Sequence, residues 1–168
     1  MKKFFLLILA LCILGIAENN FAQTNSADYE INSAEVKIEM KRDGSSTGCF
    51  GCTVEYVASI DGNGIVNFEG ISSVRLKGKY TFSVPVEQVK ELINDFRQIN
   101  FFSLENSYTE KKLPNGISEI VSHAVKTTTT LTIGSKTKTV FNFYGAPKEL
   151  DELQNKINEI IIKLQQND

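Results

Sequence analysis

The chain has 168 residues, of which 42% are apolar and 23% charged, with a formal net charge of −2. That length suits one domain able to bury its own core, and near-neutral charge without a basic cluster argues against a nucleic-acid partner. With three cysteines, one histidine and no tryptophan, the sequence is poor in metal ligands.

Lys2 and Lys3 precede an apolar run from Phe4 to Ala17. The run is too short to span a bilayer, and a positive segment followed by a short apolar one is the pattern of a signal peptide. Cleavage is expected after Ala22, with Ala17 as the other candidate. Leu9-Ala10-Leu11-Cys12 resembles a lipobox, but Leu11 is bulky where a small residue is usual and the apolar run continues past Cys12, so lipidation is the lesser expectation. Removing residues 1–22, which carry Lys2, Lys3 and Glu18, leaves 146 residues, a formal charge of −3 and two cysteines. The expected organisation is a signal peptide over 1–22, a polar tether over 23–33 and a single globular domain over 34–165. The protein would then be periplasmic or extracellular, with no transmembrane segment in the mature chain.

Charged and apolar residues alternate from Glu35 to Lys41, which predicts a strand with Val36, Ile38 and Met40 inward. A loop follows over 43–48. Alternation resumes from Thr53 to Ile60, and Asp61-Gly62-Asn63-Gly64 predicts a tight hairpin turn into a third strand over 65–69. Val74, Leu76, Tyr80 and Phe82 keep a period of two, predicting a fourth strand that ends before Pro85. The period then changes: Val86, Val89, Leu92, Ile93 and Phe96 share one helical stripe, predicting a helix over 86–99 opened by Pro85. Strands are expected over 117–121, 127–133 and 136–144, the last two joined at Gly134-Ser135. A second helix over 147–165 carries Leu150, Leu153, Ile157, Ile160, Ile161 and Leu164 on one stripe. The fold class is therefore α+β, an antiparallel β-sheet with two amphipathic helices on one face. Hairpin-then-helix occurs twice, as two related units or by chance recurrence.

Cys49-Phe50-Gly51-Cys52 is the most chemically suggestive motif. A thioredoxin-type pair needs a helix N-terminus to lower the thiol pKa, whereas the residues from Thr53 onward are β-rich. Zinc needs about four ligands, and the mature chain offers only Cys49, Cys52 and His123 among cysteines and histidines. In an oxidising compartment an even cysteine count reads as a disulfide, and Cys49–Cys52 is the leading expectation. Closing so small a loop would contribute roughly 2 kcal/mol before strain.

Cys49-Phe50-Gly51-Cys52-Thr53-Val54-Glu55-Tyr56, with Ile60-Asp61-Gly62-Asn63-Gly64 and Phe68-Glu69-Gly70, resembles the opening of the bacterial domain-of-unknown-function family 6438. Phe101-Phe102-Ser103-Leu104, Tyr108, Lys138-Thr139-Val140, Tyr144-Gly145-Ala146-Pro147 and Leu150 extend the resemblance over roughly residues 34–162. It implies an α+β fold and an exported location, and no mechanism.

Other motifs have bland readings. Asp61-Gly62-Asn63-Gly64 with Glu69 lacks the acidic positions of a calcium loop. His123 has no evident nucleophile or orienting carboxylate and is expected at the surface. The lysines and threonines over 126–130 and 136–139 read as a solvated strand face, or as a surface for an anionic glycan. Phe101, Phe102, Phe141, Phe143 and Tyr144 are expected in the core rather than on a ligand platform. No catalytic set, cofactor or metal is expected. The leading function is a non-enzymatic binding or scaffolding domain outside the cytoplasm, its partner an envelope protein or glycan. The alternatives are a thiol- or metal-dependent enzyme using Cys49 and Cys52, or an inhibitor-like module.

Overall fold

A computed structural model of the chain describes residues 35–45 and 53–166. The signal-like segment, the tether and both Cys49 and Cys52 lie outside the described residues.

The chain forms a seven-stranded sheet with two helices on one face. β1 (Val36–Ser45), β2 (Thr53–Asp61), β3 (Ile65–Ser72) and β4 (Gly78–Ser83) make an antiparallel meander, followed by α1 (Val86–Gln98) and a 3-10 turn at Phe101–Ser103. The chain then forms three two-residue strands: β5 (Ser107–Tyr108), β6 (Lys111–Lys112) and β7 (Ser118–Glu119). β8 (Lys126–Ile133) and β9 (Lys136–Asn142) form a hairpin, and α2 (Lys148–Gln166) ends the described chain. Strand order is β4-β3-β2-β1-β8-β9-β5, antiparallel except where β5 runs parallel to β9, and β6 and β7 pair separately. β1 is thus central, bonded to β2 on one side and β8 on the other.

Alternation along the strands decides which face is covered. Val36, Ile38, Met40, Tyr56, Ala58, Ile60, Val66, Phe68, Leu131 and Val140 are buried on one face, in a single cluster with Val89, Leu92, Ile93 and Phe96 of α1 and Leu150, Leu153, Ile157, Ile160 and Ile161 of α2. The opposite face carries the charged and hydroxylic residues of the same strands. There Thr130 and Thr139 pair through their hydroxyls at 2.8 Å, and Thr132 and Thr137 at 3.0 Å. Among the described residues no helix is long and apolar enough to cross a membrane.

The turn after β2 follows from its first residue. Asp61 Oδ1 accepts the backbone N–H groups of Asn63 and Ile65 at 3.0 and 2.9 Å. The carboxylate serves as the acceptor of a hairpin turn. Glu69 lies on β3 and takes no part in that turn.

Three strand expectations need correcting. β1 runs on to Ser45 rather than ending at Lys41, because it is paired on both sides as far as Asp43 and with β2 to its end. The fourth strand begins only at Gly78: Val74 and Leu76 belong to the bend before it and pack on the core from there. Of the strand expected over 117–121, only Ser118–Glu119 pairs, and Ile117 and Ile120 are exposed.

Candidate functional site

The inner-facing alternation of β1 does not stop at Met40. Its next member is Arg42, which stands opposite Tyr56 of β2 and Thr127 of β8. A guanidinium therefore occupies a register position that the preceding residues fill with apolar side chains. Its Nε is buried without a hydrogen-bond partner, and among the described residues no carboxylate lies within ion-pair distance of Arg42. A buried polar group left unsatisfied costs about 1–3 kcal/mol, and more when it is charged.

Tyr56 braces this cation from β2. It is 2% exposed, and its hydroxyl donates to Asn158 Oδ1 of α2 at 2.8 Å, with Met40 Sδ at 3.4 Å. Burial pushes the phenol up to about 12 from 10.0, and the charge and hydrogen bonding of the adjacent Arg42 offset part of that rise.

Beside Arg42 lies a cavity of about 490 Å³ between the end of the sheet and the first turns of α2. Three cations, Arg42, Lys111 and Lys148, and one carboxylate, Asp151, contribute to its wall. Lys148 is paired with Glu152, 2.7 Å away, whose hydrogen bond and charge raise its pKa. Tyr144, at the rim, is raised chiefly by hydrogen bonding to Glu119.

The back of the cavity is an ordered amide network. Asn142 Nδ2 donates both its hydrogens, to Asp151 Oδ1 and to Gln154 Oε1, each at 2.8 Å. Gln154 Nε2 in turn donates to Thr129 Oγ1 at 3.0 Å. Thr129, Gln154 and Asn142 are 0%, 4% and 7% exposed, so these bonds form away from competing water and fix side-chain direction. They tie β8 and β9 to α2.

Two glycines let backbone segments cross closely at this end. A Cβ on Gly44, at φ +140°, would stand 2.6 Å from the Ala124 carbonyl oxygen. At Gly145, φ +85°, it would collide with the carbonyl of Glu110. The connections leading into β8 and α2 are thereby held against their neighbours.

Cys49 and Cys52 lie outside the described residues, so the structure places neither. His123 is exposed in the connection before β8. The threonines divide by parity: Thr128, Thr130 and Thr132 lie on the open face, whereas Thr127 and Thr129 point inward and are buried, which corrects the reading of that whole run as a solvated face. Of the aromatic residues expected in the core, Phe101 is fully buried, Phe102 is 39% exposed, and Phe141, Phe143 and Tyr144 are half-buried. Phe143 and Tyr144 line the cavity. Among the described residues, no three of His, Cys, Asp and Glu come together as a metal site would require. From sequence, Thr129 is taken in only as part of the run over 126–130, and Arg42, Asn142 and Gln154 are missed. Extending the alternation of β1 one step would have found Arg42, and the helical stripe of α2 passes through Gln154.

The family described as a domain of unknown function, DUF6438, matches residues 36–161. No curated protein matches the chain.

Proposed function

The chain belongs to the DUF6438 family, and we propose that this member is an exported, non-enzymatic binding domain that recognises its ligand in the cavity beside Arg42. One observation carries the reading: a guanidinium stands on the core-facing side of the sheet with a buried, unpartnered Nε, next to a roomy cavity. Concave sites of roughly 300–1,000 Å³ with a few fixed polar groups are the usual form of small-molecule sites. The amide network supplies fixed groups, and the glycine crossings hold the connections into β8 and α2 close to their neighbours. Export rests on the segment from Lys2 to Ala22, and one disulfide, Cys49–Cys52, completes the proposed mature chain.

Asn155 lines the cavity and is exposed, so Asn155→Trp narrows the site without disturbing the core. In a thermal-shift screen of small polar metabolites, compounds that raise the melting temperature of the wild-type chain should lose that effect in this variant. Equal shifts in both proteins would place recognition elsewhere. For the exported form, intact mass after alkylation without reduction is expected to show no modified thiol, and two after reduction. Two modified thiols before reduction would remove the disulfide.

A further inference from the structure

Arg42 and Lys111 both line the cavity, and among the described residues neither has a carboxylate at ion-pair distance. We infer that the cavity holds a small ligand by a singly charged carboxylate, with the Arg42 guanidinium as its anchor. This rests on the proposal that the cavity is the recognition site, and it names the chemistry recognised there.

Three features select that chemistry. The planar guanidinium presents paired N–H donors that match the two oxygens of a carboxylate, and in a partly desolvated place such a charge-assisted contact is stronger than a neutral one. The single negative charge follows from Asp151. Its carboxylate lies on the same wall, and Oδ1 is held by Asn142 at 2.8 Å, so it is tethered to that wall. With Lys148 engaged by Glu152, Arg42 and Lys111 set against Asp151 leave one net positive charge on the wall, which one carboxylate neutralises, whereas a second negative charge would be desolvated with no cation left to pair with it. The uncharged remainder of the ligand would meet Asn155 and Tyr144, both able to form hydrogen bonds, together with the apolar Val125.

The test uses the mature full-length chain, labelled with nitrogen-15, and three probes: N-acetylglycine, its neutral isostere N-acetylglycinamide, and inorganic phosphate. N-acetylglycine is expected to move the side-chain amide resonances of Asn142 and Gln154 saturably, and the neutral isostere to leave them in place. Arg42→Met, which replaces a partly buried cation by an apolar chain of similar length and is therefore expected to fold, should weaken carboxylate binding at least tenfold. Arg42→Lys should recover part of it, since it keeps the charge and loses the fork. The assignment is overturned by undiminished binding to Arg42→Met, by equal binding of the neutral isostere, by tighter binding of phosphate, or by no saturable shift in the folded wild-type chain. Each of those results leaves the cavity itself to be judged by the Asn155→Trp screen, which does not depend on ligand charge.

Discussion

Phe96→Ala is expected to lower the free energy of unfolding by about 3–5 kcal/mol, the range for removing a fully buried aromatic ring. Phe96 is 1% exposed and closes the apolar stripe of α1. Its ring meets that of Phe101 edge-on, with centroids 4.8 Å apart and planes at 87°, a geometry that adds to simple area burial. Phe101 is the buried residue of the 3-10 turn, so the pair joins the helix to the connection that leads across to β5. The lost ring therefore loosens both the helix and the turn that positions the edge strand. Urea denaturation should show a lower midpoint with an unchanged slope, and Phe96→Leu should recover much of the loss. A cost below about 1 kcal/mol for the alanine variant would mean that the cavity collapses and that the aromatic pair is not a structural joint.

Alkaline pH is expected to act through Tyr56. Its folded-state pKa is raised to about 12 from 10.0, chiefly by burial. The folded chain therefore keeps the phenolic proton at pH values where the unfolded chain gives it up. Stability held below pH 10 is lost as pH rises from 10 towards 12, by ~2–3 kcal/mol at about 1.4 kcal/mol per pH unit. Tyr56→Phe removes this titration while keeping the ring packed against Phe68, 5.6 Å away. It also leaves Asn158 Oδ1 without its donor, so the variant starts somewhat less stable and its curve is flatter. Unfolding midpoints measured from pH 9 to 12 should converge for the two proteins. Parallel curves would show that Tyr56 is not the residue whose ionisation the fold resists.

Much of the architecture could be read from periodicity. The stripe at Val89, Leu92, Ile93 and Phe96 and the stripe from Leu150 to Ile161 are the faces that the two helices bury, because a 3.6-residue period leaves few ways to cover an apolar surface. The Asp61 turn was equally plain, since its side chain supplies the acceptors the turn needs. The cavity was not, and for a consistent reason: each of its key residues is polar at a position that geometry turns inward. Asp43-Gly44-Ser45 has loop composition, yet β2 keeps the whole segment extended and β8 pairs it as far as Asp43, carrying Arg42 with it. Gln154 interrupts an apolar stripe, which reads as a defect until Asn142 and Thr129 are seen to satisfy it. In a run of four threonines, composition cannot say which ones face in; only the register with β1 and β9 decides. Tertiary partners overrode local propensity at these places, and these are the residues that build the proposed site.

The central position of β1 also governs the order in which the protein can be completed. Its partner β8 begins at Lys126, so a chain emerging from its N-terminus can assemble β1–β4 and α1 while one edge of β1 still has unpaired backbone groups. Such an edge is a template for intermolecular pairing until the C-terminal hairpin arrives, and pairing over so long a separation in sequence is slow to form. A chain stopped after α1 would expose on β1 the very edge that the finished domain keeps at its middle, which makes prompt arrival of the C-terminal hairpin a condition for avoiding intermolecular pairing while folding.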